Sequence, residues 1–327
     1  MFDSNVLDLD LEREAEEIAA AMRSTVINRI RRRGVVLGIS GGIDSSVTCA
    51  LAVRALGAER VFGVLMPERD SNPESTELGL LLADHLGISH VVEDISPSLA
   101  AVGCYTRFDE AVNKVVPGYG SGWKSKIVLP DDLLDSDRVN ISRLVVSDPA
   151  GTESSVRLPP QVYLELVAAT NFKQRLRKNF EYHHADRLHY AVAGTPNRLE
   201  YDQGFFVKNG DGAADLKPIA HLYKTQVYAM ARHLQLPDRL CSTTPTTDTF
   251  SLPQGQDEFY FVLPYPQMDL LLWAHNHGVT AVEAAPVLSL KPEQVERVYR
   301  DIERKRVTTA PLHLGPVLMK PVDEISR

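Results

Sequence analysis

The chain has 327 residues, 44% hydrophobic and 24% charged, with a mean hydropathy of −0.15. These values exclude a disordered or fibrous chain, and a folded protein of this length hides roughly three quarters of the surface its extended form would expose. Lys and Arg number 35 against 43 Asp and Glu, a formal charge of −8 that disfavours nucleic acid as the main partner but leaves a locally basic cleft open.

The opening Met1-Phe2-Asp3-Ser4 lacks a basic, apolar, small-residue leader pattern, and no uncharged run reaches 18 residues, so the expectation is a cytoplasmic protein without a membrane span. Residues 9–33 carry Leu11, Ile18, Met22, Val26 and Ile30 at three- and four-residue spacing and read as an amphipathic helix. Arg31-Arg32-Arg33 then Gly34 close it in the manner of a helix C-terminus. The apolar run 35–39 suits a strand buried on both faces, followed by the loop 40–45 and a helix over 46–56. A second strand at 61–66, a helix at 73–86 and a third strand at 90–95 continue the alternation, which predicts a doubly wound parallel sheet flanked by helices.

Residues 104–165 break that rhythm. Within them 143–147 and 155–158 flank Asp148-Pro149-Ala150-Gly151-Thr152 and predict a β-hairpin insertion, whose function the sequence does not disclose. Helical patterning returns over 165–190, a short strand follows at 190–193, and 202–215 forms a Gly-rich acidic loop. A helix over about 222–235 stops at Pro237, and the C-terminal part is mainly helical. No repeat or low-complexity linker interrupts the chain, so a single domain over 1–327 is expected, with 104–165 as an insertion. Cys49, Cys104 and Cys241 stand far apart, which excludes a disulfide scaffold or a Cys-rich zinc site and suits a reducing compartment.

The chemistry concentrates in Ser40-Gly41-Gly42-Ile43-Asp44-Ser45, between a buried strand and a helix start. Gly41 and Gly42 let backbone N–H groups converge on an anion, the helix N-terminus adds partial positive charge, and Ser40, Ser45 and Ser46 offer hydroxyls. No lysine follows at the place a Walker A loop requires. A carboxylate in a phosphate cradle needs a bridging cation, so Asp44 suggests Mg²⁺.

This loop, continued by Ser46, resembles the pyrophosphate-binding loop of the N-type ATP pyrophosphatases, which split ATP into AMP and pyrophosphate. That superfamily includes NAD synthetase, GMP synthetase, asparagine synthetase, and tRNA thiolation and lysidine enzymes, and the loop alone does not choose among them. The second half chooses. Gly194-Thr195-Pro196-Asn197-Arg198-Leu199-Glu200 and the run from Gly204-Phe205-Phe206-Val207-Lys208 through Asp211 to Asp215 resemble a paired block of the NAD synthetase family, and Leu222-Tyr223-Lys224-Thr225-Gln226 and Pro245-Thr246 continue it. The similarity covers about 30–100 and 165–306.

The resemblance implies an adenine nucleotide alpha hydrolase-like fold, ATP as co-substrate and amidation of deamido-NAD through an acyl-adenylate. It implies that Gly38, Ile39, Ser40, Gly41, Gly42, Ile43, Asp44 and Ser45 surround ATP, with Thr195, Lys224 and Thr246 also contacting it; Asp44, Lys224 and Thr246 are the catalytic candidates. Asp44 and Glu200 would hold Mg²⁺, and Arg175, Lys208, Asp215, Arg304 and Lys305 would meet the dinucleotide. A homodimer is implied as well. Glutamine-dependent members carry an additional amidohydrolase domain, for which this chain has no room, so free ammonia is the expected nitrogen source and a separate glutaminase subunit the alternative.

Three departures fall on the acyl-substrate side. Arg304 stands where the family carries His, the segment 104–170 is longer, and Pro196 and the Thr246–Thr249 surroundings are unusual. They motivate an alternative, a related ATP-dependent amide ligase acting on another carboxylate. A nucleotide binder that has lost catalysis would not need Asp44, Glu200 and Lys224 together. A tRNA-thiolating enzyme is disfavoured by the lack of paired cysteines and of a basic surface. His183-His184 and His275-x-His277 read as ordinary histidines, without a third ligand at metal spacing.

Overall fold

The first helix, α1 (Leu11–Ser24), is capped by Asp10, whose carboxylate accepts from Arg13 N, and lays Ala15, Ile18, Ala19 and Met22 on the core. It is shorter than its periodicity suggests: a π-helical turn over Thr25–Arg29 widens the coil, and Arg31 at φ 53° turns the chain out of it. Strand β1 (Val35–Gly38) then enters the centre of the molecule with Val35, Val36 and Leu37 wholly buried, each contributing about 1.5–3 kcal/mol of apolar burial. The computed structural model describes residues 2–128, 142–242, 249–255, 260–261, 263–320 and 322.

Helix α2 (Ile43–Leu56) begins three residues earlier than the sequence suggests. The Ser45 and Ser46 hydroxyls both donate to Gly42 O at 2.9 Å, so these polar residues close the first turn instead of extending the loop. Next come β2 (Val61–Leu65), α3 (Pro73–Leu86) and β3 (Ser89–Val92). The sheet runs β3-β2-β1-β7, all parallel, with β7 (Ala191–Val192) on the far side of β1. Strand order therefore reverses at β1, and ligands of such sheets bind beyond the carboxyl ends of the strands at that reversal.

Two short helices, α4 (Ser96–Ala101) and α5 (Cys104–Asn113), lead into the insertion. It is a three-stranded antiparallel sheet rather than a lone hairpin: β5 (Arg143–Ser147) pairs with β6 (Glu153–Arg157) as expected and also with β4 (Lys124–Val128). A third strand gives the sheet a face broad enough to pack, where an isolated hairpin is marginal. Ile127, Leu144 and Val146 are buried there with Val162 and Leu166.

Those last two residues belong to α6 (Pro160–Leu188), a helix of 29 residues and so about 43 Å long. Its far end reaches the central sheet, where Ala185 packs with Val36 and Val192. Beyond β7 come α7 (Arg198–Gln203), α8 (Lys224–His233) and α9 (Asp238–Cys241). A separate C-terminal core joins α10 (Tyr265–Asn276), α11 (Ala281–Leu288) and α12 (Pro292–His313), through Leu271, Leu272, Ala284 and Ile302, to Leu199 of α7 and to Phe261. Among the described residues no helix is long and apolar enough to cross a membrane.

Candidate active site

At the carboxyl ends of β1 and β7 opens a cavity of about 890 Å³. Its rim on one side is the loop 38–45. Gly41 there has φ +76°, and a Cβ on it would stand 2.3 Å from Ser75 O, so the loop can lie against α3 only with glycine at this position. The loop is drawn in by its own hydroxyls: Ser40 Oγ accepts Gly42 N at 3.2 Å and lies 3.1 Å from Ser45 Oγ. Asp44 stands in the first turn of α2, where a carboxylate meets the positive end of the helix dipole.

Opposite the loop, α8 brings Lys224. The carboxylate of Asp269, fully buried on α10, accepts Lys224 N at 3.2 Å and Thr225 N at 2.7 Å, capping α8 from a distant element. Burial pushes the Asp269 carboxyl up to about 6 against the opposing pull of those N–H donors. The Lys224 ammonium, 1% exposed, bonds directly to Asp44 Oδ2, while Asp44 Oδ1 accepts from Asn197 Nδ2 at 3.0 Å. Burial alone would lower the Lys224 pKa, but the carboxylates of Asp44 and Glu200 outweigh it and raise it above the ordinary value. Lys224 is thus a fixed cation and not a proton acceptor.

Glu200 completes the cluster. Asn197 and Glu200 form a reciprocal capping box at the start of α7, with Asn197 N donating to Glu200 Oε2 at 3.2 Å. Burial, then the neighbouring charge of Asp44, push the Glu200 carboxyl up to about 8. Asp211 is also raised by burial, and its Oδ1 accepts Val207 N at 2.8 Å. Among the described lining residues there are five cations, Arg177, Lys178, Lys224, Arg239 and Lys305, against six carboxylates, on Asp44, Glu74, Glu181, Glu200, Asp211 and Asp301. The cleft is therefore mixed in charge rather than basic.

The loop 38–45, Thr195, Glu200, Lys224 and Lys305 all line this one cavity. Lys305 is enclosed on α12, donates to Tyr260 O at 2.7 Å and pairs with Asp301 at 2.7 Å; burial lowers its pKa against the pull of that carboxylate. Four other substrate candidates stand outside the described lining. Arg175 Nε donates to Lys208 O at 3.2 Å, and Lys208 Nζ is taken by Pro311 O at 2.6 Å and Leu314 O at 3.0 Å. Asp215 Oδ2 accepts Val192 N at 2.8 Å and so secures β7. Arg304 is exposed on α12. Thr246, with Pro245, lies outside the described residues.

One wall of the cavity carries none of the residues expected from the sequence. Val167, Asn171, Gln174, Lys178 and Glu181 of α6 line the cavity, three or four residues apart. Lys178 and Glu181 form a buried ion pair at 2.6 Å, and Glu181 Oε1 would be 2.9 Å from a Cβ on Gly38. The i, i+3, i+4 recurrence was available as a signal. His184 pairs with Glu93 and His275 with Glu303, and neither they nor His183 and His277 line the cavity.

A family model for NAD synthase matches residues 14–119 and 139–308. The chain is similar to the NH(3)-dependent NAD(+) synthetase of Rhizobium meliloti (strain 1021), 57% identical over 325 residues that cover 99% of this chain and 97% of that one. It is 33% identical over 277 residues to the NH(3)-dependent NAD(+) synthetase of Thermotoga maritima, covering 85% and 90%. Its fold is like that of the NH3-dependent NAD synthetase from Campylobacter jejuni, solved in complex with nitrate, with a TM-score of 0.61 at 22% identity over 95% of this chain and all of that one.

Proposed function

The chain belongs to the NAD synthase family, and from that premise we propose that it converts deamido-NAD, ATP and ammonia to NAD, AMP and pyrophosphate. The observation that carries this reading is the meeting of Asp44, Lys224 and Glu200 beside a glycine-rich anion loop at the point where strand order reverses.

Forming an amide from a carboxylate requires a leaving group on the acyl carbon. The nicotinate carboxylate attacks the α-phosphorus of ATP and pyrophosphate departs. Ammonia then attacks the acyl carbon through its lone pair, the nitrogen gives up one proton to solvent, and AMP leaves with the C–O electrons. The chain's part is to bind, orient and neutralise. The amide edge of the loop 40–45 and the N-terminus of α2 receive phosphate oxygens, and the hydroxyls of Ser45 and Ser46, now given to Gly42 O, are donors within the same turn. Lys224 stays protonated and offsets charge that builds on the departing pyrophosphate.

Asp44 and Glu200 fit a divalent cation by their donor chemistry: hard oxygens on two adjacent carboxylates, one of them disfavoured as an anion until a cation joins it. Mg²⁺ bound there would supply positive charge shared with the phosphate oxygens. Thr195 lies on the same wall as a further hydroxyl for ATP, and Lys305 is an ammonium for the dinucleotide side. Arg175 of α6, bonded to Lys208 O, and Lys208 stay in the proposal as contacts to a substrate portion that would extend beyond the cavity, for which the Lys208 ammonium would have to leave Pro311 O and Leu314 O. A homodimer, and a cytoplasmic setting consistent with three cysteines that remain thiols, belong to the same reading.

The test is mass-spectrometric analysis of products from Mg-ATP, ammonium and deamido-NAD, with glutamine replacing ammonium in parallel. NAD and AMP in equal amounts with ammonium are expected. AMP release without NAD, or no turnover, would reject deamido-NAD as the substrate, and turnover on glutamine would reject free ammonia as the nitrogen source.

A further inference from the structure

The inserted sheet does not stand apart from the cavity. The segment 249–254 runs along the outer edge of β4 and is fastened to it at successive positions. Ser125 N donates to Ser251 Oγ at 2.9 Å, and Leu252 N donates to Ser125 O at 3.2 Å. The buried Gln254 amide donates to Ile127 O, and Lys126 Nζ reaches Pro253 O at 3.3 Å. An otherwise open sheet edge is thereby satisfied by a strand-like neighbour from 126 residues downstream.

The head of the segment is held just as firmly. Lys173 of α6, 4% exposed, donates to Thr249 O at 2.8 Å while pairing with Glu68 at 2.7 Å and Asp70 at 2.9 Å. Between these anchors Phe250 is 8% exposed and packs in the insertion core, its ring centroid 6.4 Å from that of Phe108. Thr249 and Phe250 also line the cavity, whereas Ser251 and Gln254 do not.

Helix α6 shows which end of the cavity this is. Glu181 stands against Gly38 at the anion loop, while Tyr163, whose side chain packs in the insertion core, also lines the cavity. Eighteen residues of helix separate them, about 27 Å. Phe250, which shares the insertion core with Tyr163, therefore lies toward the end remote from the phosphate loop, and Thr249 is held by Lys173 midway along α6.

We propose that the inserted sheet is a platform whose β4 edge fixes Phe250, with Thr249 beside it, as a wall of the cavity, and that Ser251 and Gln254 are positioning residues setting affinity for the dinucleotide and not for ATP. The substrate half of this inference rests on the function proposed above. The segment is held by completing the core and edge of the insertion as well as by Lys173 at its head, which gives that insertion a role in the site.

The test compares the full chain with the double variant Ser251→Ala, Gln254→Leu and with Ser251→Ala alone, should the double variant not fold. Loss of these hydrogen bonds should raise KM for deamido-NAD about fivefold or more, with kcat and the KM for ATP within about twofold of wild type. Limited chymotrypsin digestion of the ligand-free proteins, read by mass spectrometry, should show the 250–251 bond cut faster in the variant by a similar factor. Cleavage as slow as in wild type would overturn the platform. So would faster cleavage with an unchanged KM for deamido-NAD, or a loss confined to kcat. If the wild-type chain does not turn over deamido-NAD, it is the proposed function that fails, and cleavage alone then decides whether the edge holds the wall.

Discussion

Replacing Lys224 by methionine isolates the charge at the centre of the cluster. Methionine nearly matches the length of the lysine stem, so packing around this 1% exposed side chain is kept while the ammonium is lost. What remains is Asp44, 16% exposed and still bonded to Asn197, facing Glu200 with no cation between them. Breaking a buried pair by removing one partner costs about 3–5 kcal/mol, and the residual exposure of Asp44 argues for the lower end, about 3 kcal/mol. For a chain of this size that lowers the Tm by roughly 4–5 °C. Mg²⁺ should restore part of the loss, because a bound cation replaces the missing charge and stabilises only the folded state. Catalysis should fall further than stability suggests: a preorganised charge facing the departing pyrophosphate accounts for about 10²–10³ in rate. Steady-state release of AMP and thermal unfolding with and without Mg²⁺ read the two effects. A variant with kcat/KM within about threefold of wild type would refute the assignment of Lys224 to phosphate neutralisation, whatever happened to its Tm.

Three other perturbations follow from the same geometry. Gly41→Ala places a Cβ 2.3 Å from Ser75 O in a residue at φ +76°, so strain and displacement together should cost about 3 kcal/mol and raise the KM for ATP; an unchanged melting curve would show that the loop does not hold this geometry. In metal-free protein the Glu200 carboxyl, at about 8 against an ordinary 4.5, binds more protons folded than unfolded between those values, so this group's contribution makes stability fall as pH rises from about 4.5 to 8. Glu200→Gln should remove that component of the slope in denaturant titrations with chelator present, and equal slopes in both proteins would disprove it. Asp215→Ala strips Val192 N of its acceptor and should destabilise the chain by about 1–3 kcal/mol; a stability equal to wild type in urea would mean that β7 is secured without it.

The legible parts of this molecule are those whose cause is local. The apolar run of β1, the two glycines after it and the serines that start α2 are contiguous, and their chemistry depends on backbone geometry that the residue types nearly dictate. The hairpin β5–β6 announced itself through Asp148 and Gly151, whose side chain and φ of +85° make the turn. Strand β4 was missed because Lys124 and Lys126 occupy its outward positions; only Ser125 and Ile127 face inward. Helix α6 hid its functional face for a related reason. Lys173, Lys178, Glu181 and His184 are buried on it, so a pattern of charges that ordinarily marks a solvated stripe marks a cavity wall and its fastenings. Lys178 and Glu181 pair with each other within the helix, but the partners of Lys173 and His184, namely Glu68, Asp70 and Glu93, lie outside it and are absent from any local window.

The charge of the site carries the argument one step further. On the function proposed above, a chain of net charge −8 would hold two phosphate-bearing substrates in a cavity whose described lining counts one more carboxylate than cation. Long-range attraction cannot supply the affinity, because the average field favours neither sign inside and opposes anions outside. On the function proposed above, recognition would rest on short-range, fixed groups: backbone N–H donors at the start of α2, the buried Lys224 ammonium, and a cation held by Asp44 and Glu200. Such an arrangement keeps the Glu200 carboxylate costly as an anion in the free protein. The same Asp44 that pairs with Lys224 in the free protein would then share its charge with the incoming cation, leaving the ammonium to face phosphate instead. Asp44 at the helix start would then be the residue that both the cation and Lys224 address, so its replacement should affect metal and nucleotide binding together.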